Sequence, residues 1–203
     1  MHLRPRIALT ALLSVVVLLA AACGNVEPAT APDADGPLVI DAIDADVDND
    51  ADLTFLQGMI PHHEEAVDMA RLVPDRTDRP ELNQLAENVI SSQQAEIDQM
   101  EQMLTEAGAE RDDAGNGGHG DMPGMMGAEE LERLASLDGI DFDLAFIDMM
   151  IAHHEGAITS AEQVIDGGAN PQARQLAEGV VAEQEAEIAQ MTAWREQWTA
   201  AGS

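Results

Sequence analysis

Apolar and histidine positions between residues 52 and 73 recur with the period of an α-helix. Phe55, Met59, His62, His63, Ala66, Ala70 and Val73 follow the i, i+3, i+4, i+7 spacing. This predicts a first amphipathic helix over about 52–73, with Asp50 or Asp52 as N-cap. A second stripe, Leu82, Leu85, Ala86, Val89, Met100, Met103 and Leu104, predicts a helix that starts near Pro80 and ends at Gly108. Asp78 and Glu81 have the spacing of a capping box for it. The turn between the two helices is short enough to force an antiparallel hairpin. The same plan then returns. Asp141 opens a third long helix that fades at Asp166-Gly167-Gly168, and Asn170-Pro171 opens a fourth that runs to about Trp198. A short helix is predicted over about 129–137, between the hairpins.

The second hairpin is a copy of the first. At an offset of 91 residues the two align without a gap from Asp52/Asp143 to Met100/Met191, and roughly half of the paired positions are identical. The expected fold is therefore all-α: a ferritin-like four-helix bundle of two repeated helical hairpins with a long crossover connection. Repeat one covers 52–107, a Gly/Met/His linker with the short helix covers 108–140, and repeat two covers 141–200. Aromatic residues make up 2% of the chain and tyrosine is absent, so the core must come from Ala, Leu, Ile, Val and Met, a helix-forming set.

Residues 1–51 read as processing signal and tether. Arg4 and Arg6 precede an apolar run that ends at Ala20-Ala21-Ala22-Cys23, the plan of a lipoprotein signal peptide over 1–22. Cys23 is the single cysteine, so a lipid on it leaves no thiol for disulfides or metals. The expected location is the extracytoplasmic side of the cell membrane, lipid-anchored, or the exterior if the lipobox is not used. Residues 23–51 are rich in Pro, Ala, Gly and Asp and read as an acidic flexible tether. The alternating Asp44 to Asp52 run fails as a calcium loop, because the sixth position from Asp46 is Ala51 and the twelfth is Gln57. Net charge is −30, without a lysine. Loss of residues 1–22 would make it −32, which opposes nucleic-acid binding and favours cations.

Candidate chemistry sits in the repeat. Four of the six histidines are His62-His63 and His153-His154, each pair following a methionine, Met59 or Met150. On a helical wheel His63 lies about 40° to one side of Met59 and His62 about 60° to the other, while Glu64 points away. Gln93 and Glu96 interrupt the apolar stripe of the second helix, as Gln184 and Glu187 do in the fourth. A buried carboxylate is costly unless paired or bound to a cation. One half-site could thus gather Met59, His62 or His63, Glu96 and Met100, and its mate Met150, His153 or His154, Glu187 and Met191. The linker adds His119, Met122, Met125 and Met126 in a Gly-rich stretch. Thioether and imidazole without thiolate suit copper, especially Cu(I), with another divalent metal as the alternative ion. The surrounding carboxylates are expected to favour charged histidine, so binding should weaken as pH falls toward about 6.5.

The doubled Met-Ile-x-His-His-Glu-x-Ala core, with a Met-Met linker before a short helix, resembles domain-of-unknown-function family 305, bacterial secreted ferritin-like proteins that include CopM-like copper-binding members. The resemblance covers about Asp52 to Trp198. It implies a four-helix bundle and copper binding at Met59, His62, His63, Met150, His153, His154, Met125 and Met126. The leading expectation is a lipid-anchored copper buffer or chaperone in copper tolerance, meeting the membrane through its lipid and a copper-handling protein as partner. A ferritin-like di-metal oxidase or peroxidase is the enzymatic alternative, but Met59 and Met150 stand where a Glu-x-x-His motif needs glutamate. The third is an interaction protein whose polar core only sets helix register.

Overall fold

The computed structural model describes residues 50–111 and 122–201. They form five helices: α1 (Asp50–Arg76), α2 (Pro80–Glu106), α3 (Ala128–Ala135), α4 (Gly139–Gly167) and α5 (Pro171–Ala201). The bundle belongs to the compact unit Asp41–Ser203. The leader, the tether before residue 50, Cys23 and His119 lie outside the described residues. α1 packs along α2, α4 along α5, and the hairpins meet along α1 and α4. Each 27-residue helix of the first hairpin spans about 40 Å.

Two apolar clusters fill the bundle, one toward each end. Phe55, Leu56, Met59 and Ile60 of α1 pack with Met100 and Leu104 of α2, Ala161 and Val164 of α4, and Ala177 and Val180 of α5. Ala66, Ala70 and Val73 of α1 pack with Leu85 and Val89 of α2, Leu134 of α3, Phe142, Phe146 and Met150 of α4, and Met191 and Trp198 of α5. The start of α1 thus meets the end of α4, so these two helices run antiparallel about a pseudo-two-fold axis. Burying each large apolar side chain contributes about 1.5–3 kcal/mol. Between the clusters lies the polar layer that carries the histidines.

The hairpins are pinned to each other by a reciprocal pair of acids. Asp52, fully buried in α1, accepts from the backbone N–H groups of Ala169 and Asn170 at 2.9 Å each, in the opposite hairpin's turn. Its repeat mate Asp143, 2% exposed, accepts from Arg79 Nε at 2.6 Å in the first hairpin's turn. Arg79 and Asn170 are themselves mates at the same offset. The Arg79 guanidinium also sits 4.1 Å from the Trp198 ring centroid, a cation–π contact.

Several helix ends depart from the sequence expectation. Asp52 does not cap α1, because its carboxylate is spent on the far turn. α1 runs on to Arg76 through Pro74, and it begins at Asp50, inside the expected tether. α2 starts on Arg79 as N-cap without a side-chain cap; the Asp78/Glu81 box does not form, and Asn83 Nδ2 instead donates to the Arg79 and Thr77 carbonyls at 2.8 and 3.3 Å. Asn170 does cap α5, accepting from Gln172 and Ala173 N–H at 2.8 and 3.1 Å. α4 begins at Gly139, two residues before Asp141.

Candidate metal centre

The polar layer at mid-bundle is built on two adjacent histidines from each of α1 and α4. His62, His63, His153 and His154 are all fully buried. Adjacent residues on a helix diverge by about 100°, so both members of each pair are buried but face different neighbours. His63 turns toward α2 and pairs with Glu96, Nε2 to Oε2 2.8 Å. His154 turns toward α5 and pairs with Glu187 at 2.7 Å. His62 and His153 turn toward each other across the α1–α4 seam, with ring centroids 3.7 Å apart and planes tilted by 36°. In each pair the second histidine thus faces its own hairpin and the first faces the pseudo-two-fold axis.

The oxygen partners follow a common rule. His62 Nε2 donates to the Pro123 carbonyl at 3.1 Å, since a carbonyl can only accept. His153 Nε2 lies 3.5 Å from Glu65 Oε1, and with the Glu96 and Glu187 bonds every imidazole faces an oxygen through Nε2. In all four rings Nδ1 is buried and has no hydrogen-bond partner. An imidazole whose Nε2 carries the proton keeps a lone pair on Nδ1. Metal-bound histidines characteristically give their other N–H to a carboxylate or carbonyl. Glu96 and Glu187 thus each hold the Nε2 side of an outer histidine.

Gln93 and Gln184 complete the layer. Each is 2% exposed, and Gln93 Oε1 and both amide atoms of Gln184 lack partners. Such buried orphans each cost about 1–3 kcal/mol. On the open side of the layer, between α2 and α5, a groove of about 620 Å³ is lined by Ser92, Glu183 and Glu187 among others.

Methionines flank the layer on both sides. Met59 and Met100 lie in the first apolar cluster and Met150 and Met191 in the second, all fully buried. Met122 packs against the first cluster and Met126 against the second; Met125 is half-buried between them in sequence. Among the described residues no three His, Asp, Glu or Cys side chains converge as a ready-made ion cage. Glu64 forms a surface ion pair with Arg111 and its mate Glu155 is exposed, as their position on the wheel implies.

Glu65 is the site residue that the sequence reading missed. The repeat was the signal followed, and Glu65 has no acidic mate: its counterpart is Gly156.

Burial sets the electrostatics. The His62 imidazolium is disfavoured by desolvation first and by the neighbouring His63 second, which pushes its pKa down to about 3. His153 is held well below its ordinary range by the same burial, then by His62. The expectation that carboxylates would keep these rings charged fails for this pair, because desolvation and the neighbouring histidines dominate. Glu65 moves the other way, its pKa raised by burial against the lowering effect of the Met126 N–H.

Comparison with known proteins places this architecture. Residues 52–195 match the family model Domain of unknown function (DUF305). A DUF305 protein from Streptomyces coelicolor is similar at 28% identity and TM-score 0.68, over 73% of this chain and 94% of that one. CopM in its Cu(I)-bound form is similar at 31% identity and TM-score 0.63, over 72% of this chain and 96% of CopM. The uncharacterized protein L153 of Acanthamoeba polyphaga mimivirus is 46% identical over 55 residues, and this chain spans about a third (36%) of its length. With the match covering both hairpins and the connection between them, the chain belongs to the DUF305 family.

Proposed function

We propose that this protein binds copper outside the cytoplasm, anchored by a lipid on Cys23, and buffers the ion or hands it to a copper-handling partner. The observation that carries the reading is the set of four buried imidazoles, each facing an oxygen through Nε2 and each leaving Nδ1 without a partner. Neutral nitrogen donors beside buried thioethers suit copper over the hard cations. His62, His63, His153 and His154 would hold the ion, with Met59, Met100, Met150 and Met191 as neighbouring soft donors and Met122, Met125 and Met126 at the linker. Bound copper would supply redox-variable, sulfur- and nitrogen-tolerant coordination. Structures of the relative CopM in Cu(I)- and Cu(II)-bound forms support the reading. The test is copper titration of the purified chain against competing chelators. Affinity no tighter than that of a variant lacking all four histidines overturns it.

A second reading has its own observation: the short His63–Glu96 and His154–Glu187 bonds would suffice to fix helix register without any ion. It predicts no metal-dependent rise in melting temperature, whereas an ion bound only by the folded chain must raise it.

A further inference from the structure

Two of the departures from repeat symmetry near the histidines, at 58/149 and 65/156, serve the same segment. Residues 122–127 cross the α1–α4 seam as a strap. Where repeat two has Met149, repeat one has Gly58, and a Cβ there would come within 2.8 Å of Met122 Sδ. Where repeat one has Glu65, repeat two has Gly156, and a Cβ there would overlap the Pro123 carbonyl. Gly124 makes the bend between them at φ 86°, a left-handed conformation that glycine adopts without strain.

The strap delivers oxygen and nitrogen to defined atoms. Its Pro123 carbonyl accepts from His62 Nε2 at 3.1 Å. Its Met126 N–H donates to Glu65 Oε1 at 2.7 Å, and that same oxygen faces His153 Nε2 at 3.5 Å. His153 is fully buried, and besides Glu65 its ring faces the His62 backbone. One carboxylate therefore addresses one ring of the stacked pair directly and the other through the strap it anchors.

Building on the copper reading, we propose that Glu65 is the positioning residue of the inner pair His62 and His153, and that it makes these two rings a metal-binding element distinct from the outer His63–Glu96 and His154–Glu187 pairs, with Nδ1 as the ligating atom. The inner rings are unequal: His153 is backed by a carboxylate and His62 by a neutral carbonyl. A carboxylate partner raises ligand basicity more than a carbonyl does, and loss of such a partner typically weakens metal binding 10–100-fold.

The experiment is titration of the purified chain with Ag(I), a redox-inert soft ion, followed by nitrogen-15 correlation spectra of the imidazole rings, which separate Nδ1 from Nε2. In the wild-type chain Ag(I) is expected to shift Nδ1 of His62 and His153. Glu65→Gln keeps an acceptor for the Met126 N–H but loses the charge. It should weaken binding at His153 by about 10–100-fold and leave His63 and His154 within about twofold. Gly156→Ala expels the strap with Glu65 intact, and should weaken binding at His62 more than at His153. Ag(I) on Nε2 of the inner rings in the wild-type chain overturns the proposal, as does inner-ring affinity unchanged by Glu65→Gln. Binding at His63 and His154 alone overturns it while leaving the copper reading standing; binding at no imidazole overturns both.

Discussion

Acidification is expected to destabilise the metal-free bundle through its buried inner histidines. The perturbation is pH, from 7.5 to 5. An unfolded chain protonates His62 near its ordinary value of about 6.5, whereas the folded chain resists until about pH 3. For a base with a depressed folded pKa the unfolded state binds more protons throughout that window, so stability falls as pH falls. At pH 5 the loss from His62 alone amounts to about 2 kcal/mol relative to pH 7.5. His153 adds a loss of the same sign. Glu65 opposes both, since its raised folded pKa favours the folded state as pH falls. A single domain is typically stable by only about 5–15 kcal/mol, so the effect is a sizeable fraction of the total. The assay is urea unfolding with chelator present at pH 7.5, 6.5, 5.5 and 5.0, extrapolated to water. A His62→Gln variant is the internal control and should lose about 2 kcal/mol less over the same range. Stability flat to within about 0.5 kcal/mol, or a His62→Gln slope equal to wild type, refutes the reasoning.

Other perturbations probe the scaffold and the ion. Asp52→Ala takes the acceptor from the Ala169 and Asn170 N–H groups, of which Asn170 is buried, and should cost about 1–3 kcal/mol in chemical denaturation for that buried group. Pro61 stands inside α1 where its mate is Ala152; Pro61→Ala restores an N–H to the ladder and should stabilise the bundle by about 1–3 kcal/mol, read as a higher denaturant midpoint. Saturation with copper at about 100 times the dissociation constant should add about 2.7 kcal/mol, a rise in melting temperature of about 5–10 °C for a domain of this size; calorimetry with and without chelator reads it.

The fold was legible because each long helix carries an apolar stripe at helical spacing and each turn carries its own punctuation. Pro80 and Asn170-Pro171 mark true starts, and Asn170 caps as its residue type implies. The errors concern acids. Local rules offer Asp52 as a cap, but α1 begins two residues earlier and the Asp52 carboxylate meets donors in the other hairpin's turn, a contact 117 residues away in sequence that no local pattern encodes. The site was half legible. The wheel identified both histidines of each pair as near the stripe, and the stripe singled out Glu96 and Glu187, which do pair with the outer histidines. It could not assign a ring to hairpin or axis, because that choice depends on how close α1 and α4 approach. Nor could composition show that burial outweighs a net charge of −30 in setting the state of His62.

Duplication explains what is shared between the halves, and the departures from it explain what is particular to this chain. A strict two-fold bundle would give His62 and His153 identical surroundings, and two acids at positions 65 and 156 would crowd a seam where the rings already stand 3.7 Å apart. Replacing one acid by glycine removes that crowding and opens room on α4 for the Pro123 carbonyl. The remaining acid then holds the strap through the Met126 N–H. Met122 and Met126 are thereby fixed against opposite apolar clusters, one on each side of the histidine layer. A Met-rich connection between repeats, free to drift in a symmetric bundle, is tied to the imidazoles by one Glu/Gly exchange. The linker methionines and the buried histidines are on this view one element, and a substitution at Glu65 should be felt at both.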